Sequence, residues 1–105
     1  MIKVIIESSY AGDVEENIKY AKECMAHSLK QGEAPLASHL LYTQKGILDD
    51  NILEERQLGI EAGLLWGKEA EKTIVYEDLG VTDGMKLGIE RAKKEGRLVE
   101  FRKIK

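Results

Sequence analysis

Two segments of this chain gather hydroxyls, an aromatic ring, glycines and carboxylates in an order that suits a bound sugar or phosphate. The first is Ser8-Ser9-Tyr10-Ala11-Gly12-Asp13, the second Gly80-Val81-Thr82-Asp83-Gly84. Each precedes apolar residues at helical spacing, so each offers exposed amides and the positive end of a helix dipole. Tyr10 can lay its ring on a base or a ribose. Asp13 can accept from ribose hydroxyls, although capping its own helix is the stronger claim on it. Gly84 lets a ligand approach closely, where the plainer alternative is a tight turn. His39, in a third segment, can hydrogen-bond a base or phosphate, though a lone histidine more often serves the fold. Neither G-x-G-x-x-G nor a Walker sequence is present, so this is not a standard nucleotide fingerprint.

The elements that must position these groups follow from the hydrophobic pattern. Residues 2–7, IKVIIE, are β-branched and nearly continuously apolar, which suits a central parallel strand. Asp13 with Glu16 has capping-box spacing, and Val14, Ile18, Ala21, Met25 and Leu29 form an apolar stripe to about Lys30, closed by Gly32. Residues 34–37 read as a short strand that Pro35 confines to an edge. Residues 38–51 read as a long loop.

A second capping pair, Asn51 with Glu54, opens a helix to about Ala70, with Leu58, Ala62 and Leu65 inward and Leu64 and Trp66 widening the apolar face. Glu54, Glu55 and Arg56 read as its solvated first turn. Gly59, Gly63 and Gly67 repeat along one side, each costing up to ~1 kcal/mol of helix propensity, which implies close packing against a neighbouring helix or subunit. Ile74-Val75-Tyr76 is a second buried strand, ending at Glu77-Asp78. Met85, Ile89 and Ala92 face inward from the helix after it, and residues 97–103 form a last, polar edge strand.

The pattern β-α-β-α-β-α-β predicts a four-stranded parallel sheet with right-handed crossovers. The apolar strands belong at the centre, giving the order 2-1-3-4. The switch point then lies between the first and third strands, where Ser8 to Asp13 meets Glu77 to Gly84.

Composition bounds the function. Residues 1–105 make one domain, 43% hydrophobic and 33% charged. A net charge of −3 argues against nucleic-acid binding. Basic residues interspersed with glutamates argue against a membrane surface, and no apolar run approaches the ~20 residues of a span. The N-terminus leads straight into a strand, without signal-peptide layout, so a cytoplasmic location is expected. Cys24 is the only cysteine, excluding an internal disulfide, and its helical position suits an inert buried thiol. Two histidines and one cysteine, widely spaced, make no metal-site pattern, and no cofactor is expected. The glycine-striped, Trp-bearing helix leads us to expect a homo-oligomer.

Several motifs together resemble a known group of proteins. They are Ser8-Ser9-Tyr10-x-Gly12-Asp13 with Asn17, Ala34-Pro35-x-Ala37-x-His39, Asp49-Asp50 with Glu54-Glu55-Arg56, and Asp83-Gly84-Met85 with Ala92 and Gly96. In order and spacing the chain resembles the nucleoside 2-deoxyribosyltransferase-like superfamily, and most of all a small phage- and prophage-borne branch. The resemblance covers nearly the whole chain. It implies a flavodoxin-like three-layer α/β sandwich, often oligomeric, with a site for nucleosides, nucleotides or related N-ribosides. Carried onto this chain, it implies ligand contacts from Ser8, Ser9, Tyr10, Gly12, Asp13, Asn17, His39, Asp83, Gly84 and Met85, to which the second switch-point loop adds Asp78 and Gly80. Family enzymes attack the anomeric carbon with a glutamate, which the motif places at Gly88, or at Lys86 in a different register. Neither is a carboxylate, and covalent glycosyl chemistry needs one. Glu90 lies about 200° around the helix from Gly88 and is expected to face solvent. Family enzymes also often carry proline where Ser9 stands.

The expected function is therefore non-catalytic: a binding protein for a nucleotide or ADP-ribose-type ligand. In a phage, acting in the host cytoplasm, its use would be to sequester a nucleotide signal of bacterial immunity. The alternative is an N-glycosidase or nucleoside deoxyribosyltransferase using another carboxylate, such as Asp78, Asp83 or Glu90. A protein-interaction module with a vestigial pocket is a third reading.

Overall fold

The computed structural model describes residues 1–105. Strands β1 (Ile2–Glu7), β2 (Glu33–Leu36), β3 (Lys72–Tyr76) and β4 (Leu98–Arg102) form one parallel sheet in the order β2-β1-β3-β4. Helices α1 (Val14–Lys30), α2 (Ser38–Leu41), α3 (Leu53–Gly67) and α4 (Asp83–Lys94) connect them. Right-handed crossovers that run left to β2 and then right to β3 and β4 put α1 on one face and α3 and α4 on the other. The expected α/β architecture and strand order are both present. No helix is long and apolar enough to cross a membrane.

Strand alternation divides the core into two layers. Val4 and Ile6 of β1 and Ile74 and Tyr76 of β3 pack with Tyr20 and Cys24 of α1. Val75 packs with Met85 and Ile89 of α4. Ile5 and Glu7, alternating with Val4 and Ile6, fall on the α3–α4 face. Pro35 sits in edge strand β2, where its missing N–H costs no ladder bond. Burial pushes the Cys24 thiol up to about 12, leaving it an inert core group.

The α1 face is rotated from the expected stripe. Asn17, Tyr20, Ala21, Cys24 and Ser28 are buried, while Val14 and Leu29 are exposed. The polar side chains bring their own partners inward. Tyr20 donates to Asp78 Oδ1 at 2.5 Å and Ser28 donates to Glu33 Oε1 at 2.7 Å. Asp13 caps the helix, its Oδ1 accepting from the Glu16 N–H at 3.2 Å. Gly32 follows the helix end at φ +82°, a conformation that favours glycine.

Across that face, Arg102 grips Glu33 with two hydrogen bonds of 3.0 Å and also donates to Glu100 and to the Tyr76 hydroxyl. Lys72 bridges Glu100 at 2.8 Å and Glu33 at 3.3 Å. The network ties the two edge strands together. Its Arg102, Ser28 and Lys72 hydrogen bonds outweigh burial and hold the Glu33 carboxyl down at about 2.

Three expectations for residues 38–70 are corrected. Residues 38–41 form the short helix α2 within the expected loop. Asn51 and Glu54 do not make a capping box: the N-cap is Ile52, without a side-chain bond, and Glu55 instead accepts from the Asp49 N–H at 3.1 Å. Helix α3 ends at Gly67, and its inward face is the glycine face. Leu58, Leu65 and Trp66 are 57%, 64% and 55% exposed, so they point away from the core. A Cβ on Gly63 would overlap the Ser38 side chain, one on Gly59 would press on Leu48, and one on Gly67 on Arg97. The helix therefore sits closer to its neighbours than a leucine face would allow. Close packing is the reason for the glycines, and the neighbours belong to this chain: α2 at Gly63, Leu48 at Gly59 and Arg97 at Gly67.

Candidate functional site

A cavity of about 380 Å³ lies between α3 and the sheet, at the carboxyl ends of the strands. The sheet side supplies Ile5, Glu7 and the loop residues Ser8, Tyr10 and Ala11. Ser38, His39, Tyr42 and Thr43 come from α2 and the turn after it. Helix α3 contributes Glu55, Arg56, Ile60, Leu64 and its three glycines. Thr82, Asp83, Gly84, Met85, Leu87 and Gly88 come from the start of α4, and Arg97, Leu48 and Asp50 complete the wall. Both loops of the switch point thus open onto one cavity, where open α/β sheets bind ligands.

Of the sequence-predicted site residues, Ser8, Tyr10, His39, Asp83, Gly84 and Met85 line this cavity. Ser8 Oγ and His39 Nε2 are 2.8 Å apart, and the Tyr10 ring meets the imidazole edge-on at 6.3 Å. Burial pushes His39 down to about 4, so the ring is neutral at pH 7. Thr82 and Met85 cap α4 reciprocally. The Thr82 hydroxyl accepts from the Met85 N–H, and the Met85 sulfur from the Thr82 N–H, both at 3.3 Å. The Asp83 side chain is fully exposed at the rim.

Ser9, Gly12, Asp13, Asn17, Asp78 and Gly80 lie outside the cavity wall, where their groups serve the fold. Ser9 donates to Asn17 Oδ1 at 2.9 Å, and Asn17 donates to the carbonyls of Tyr10 and Ala11 at 2.8 and 2.9 Å, which fixes the first loop. Asp78 accepts from Tyr20 and from the backbone N–H groups of Ile104 and Lys105, pinning the C-terminal residues. Gly12 and Gly80 take φ of +99° and +91° and turn the chain. Glu90 is exposed, as its position around the helix implied.

The cavity also holds a group the motif comparison passed over. Glu7 ends β1 with its carboxyl on the α3–α4 side, against Gly88. A Cβ on Gly88 would overlap that carboxyl. Burial pushes Glu7 up to about 8, with Arg97 pulling weakly the other way. The Arg97 guanidinium is itself engaged by Glu95 at 2.6 Å and Thr73 at 3.0 Å. The sequence signal for Glu7 was its register: in IKVIIE it shares a face with Ile5, so a carboxylate stands where the alternation calls for an apolar residue. Glu55 and Arg56, read as a solvated first turn, also reach the cavity.

The all-parallel sheet and its strand order define a flavodoxin-like α/β fold, with a cavity at the strands' carboxyl ends. The chain belongs to the family described as Domain of unknown function (DUF7768), whose profile matches residues 2–102. No curated protein and no solved structure matches the chain.

Proposed function

We propose that this protein binds a nucleotide or ADP-ribose-type N-riboside in the cavity between α3 and the sheet and holds it without cleavage. The observation that carries the reading is that Ser8 and Tyr10 from one loop and Thr82 and Gly84 from the other line the same cavity. Its volume of about 380 Å³ falls in the range of small-molecule sites. Tyr10 supplies a ring for stacking, and the start of α4 supplies amides for a phosphate. The likeness to nucleoside 2-deoxyribosyltransferase-like proteins points to the same ligand class. In a phage, such a protein would sequester a nucleotide signal in the host cytoplasm.

One observation favours a second reading, an N-glycosidase. The Glu7 carboxyl fills the space beside Gly88, the position at which the family motif expects a glutamate. With its proton held to about pH 8, Glu7 is a poor nucleophile at pH 7, which supports retention of the ligand. The same protonated acid is suited to protonate a departing base while water takes the anomeric carbon.

Calorimetry with ADP-ribose, cyclic ADP-ribose isomers and nucleoside monophosphates tests both. Binding followed by recovery of intact ligand after heating is the expected result. Release of free base identifies the glycosidase. Absence of heat across the panel overturns both readings.

A further inference from the structure

The two edges of the sheet are not alike. At one edge, β2 is four residues long and carries Pro35, which removes a donor. At the other, β4 has five residues without proline or glycine, and Leu98 and Phe101 are more than half exposed. The chain keeps its direction beyond Arg102. The Glu77 N–H donates to the Arg102 carbonyl, and the Ile104 N–H donates to Asp78 Oδ1, both at 3.0 Å. The backbone groups of Arg102 and Ile104 therefore point at β3 and the loop after it. Directions alternate along a strand, so those of Val99, Phe101 and Lys103 point outward. Such a row is a template for a further strand.

We propose that the further strand is β4 of a second copy, paired antiparallel about a two-fold axis at Phe101, so that two sheets join into one. The complementarity of the edge with itself carries the inference. With the axis at Phe101, Val99 faces the partner's Lys103 and Phe101 faces its own copy, so each outward N–H and C=O in this stretch finds a partner. On the α1 face of the sheet, Glu100 then faces the partner's Arg102, and Leu98 faces the partner's Ile104. Opposite charges meet, and apolar side chains meet. An axis at Glu100 sets that carboxylate against its copy, and an axis at Arg102 does the same to the guanidinium. An axis at Val99 runs the pair into Gly96, where the chain turns at φ +73°.

Glu100 and Arg102 are already linked to each other, and through Lys72 and Arg102 to Glu33. Joining the edges extends that network across the axis and strands no charge. Strand pairing of this length lies at the small end of specific interfaces, so the dimer should be concentration-dependent. Val99, Phe101 and Lys103 do not line the cavity, so the pairing stands or falls independently of what the cavity binds.

Sedimentation equilibrium should show a wild-type dimer that forms as concentration rises. Lys103→Pro removes an outward N–H without touching the β3 ladder, and the symmetry loses that bond on each side of the axis, so the dimer should weaken at least about tenfold. Phe101→Asp, at an exposed position, sets like charges on the axis and should leave only monomer. Crosslinking reads the register. In Phe101→Cys the two substituted positions face each other at a Cα separation of about 5.5 Å, and mild oxidation should link the copies. In Lys103→Cys they lie about 14 Å apart along the strands and should stay unlinked. Cys24 is buried and takes no part. Equal crosslinking at the two positions overturns the register. A dimer that Lys103→Pro and Phe101→Asp leave intact, but Leu65→Gln dissociates, places the interface on α3 and overturns the pairing. A wild type that stays monomeric at high concentration overturns it outright.

Discussion

The carboxyl group of Glu7 occupies the space that any side chain at Gly88 would need. One residue ends the first strand and the other lies within the last helix, so their fit couples the sheet to α4 at the cavity wall. The absent side chain at position 88 and the carboxyl at position 7 are two halves of one arrangement.

That coupling is measurable. Gly88→Ala alone should displace the Glu7 carboxyl and lower stability by about 1–2 kcal/mol, the usual cost of overpacking. In a Glu7→Ala background the same change should stabilise by up to about 1 kcal/mol, because alanine is the better helix former. Denaturant unfolding of the four proteins gives the coupling energy, which should exceed about 1 kcal/mol. Additive effects would show that the two side chains do not share that space.

Helix α3 should be equally sensitive at Gly63. A Cβ there meets the Ser38 hydroxyl and Cβ, and the Cβ cannot swing away without moving α2. Gly63→Ala should cost about 1–3 kcal/mol, despite its better helix propensity. Adding Ser38→Gly should recover part of the loss. Thermal unfolding of the two variants checks this.

The Glu33–Arg102 network sets a pH dependence of stability. Glu33 is held down to about 2 from an ordinary value of 4.5, so the unfolded chain binds this proton more readily. Its contribution is complete above about pH 4.5 and is lost as pH falls from there through about 2. Glu33→Gln should flatten that part of an acid unfolding profile. Arg102→Met, which leaves the Glu33 carboxylate to Lys72 and Ser28 alone, should cost about 1–3 kcal/mol at pH 7 in a denaturant melt.

On the outer side of α3, Leu58, Leu65 and Trp66 are more than half exposed. Replacing Leu58 or Leu65 by Gln should change the stability of an isolated chain by less than about 0.5 kcal/mol. If copies associate through this face, sedimentation should show an assembly in the wild type that Leu65→Gln dissociates. A wild type that is monomeric at high concentration contradicts that association.

The sheet was legible because its cues are strong: two β-branched apolar runs mark the centre, and Pro35 and the polar Leu98–Arg102 segment mark the edges. Faces of helices were less so. Residues 53–67 spread apolar and charged side chains around the whole helix, so periodicity marked no single face, and only the contacts with Leu48, Ser38 and Arg97 show that the glycines turn inward. In α1 the buried face is chosen by Tyr20 and Ser28, whose partners Asp78, far along the chain, and Glu33, just beyond the helix, no helical periodicity counts. The cavity's loops were legible from glycines and hydroxyls, but Glu7 was not. A motif counts along one segment, whereas the carboxyl at this wall comes from a different strand.

The most direct measurement is a crystal structure grown with AMP. The account predicts the nucleotide in the cavity between α3 and the sheet, with the phosphate toward the start of α4. A nucleotide seated elsewhere on the protein, or no bound nucleotide, would contradict it.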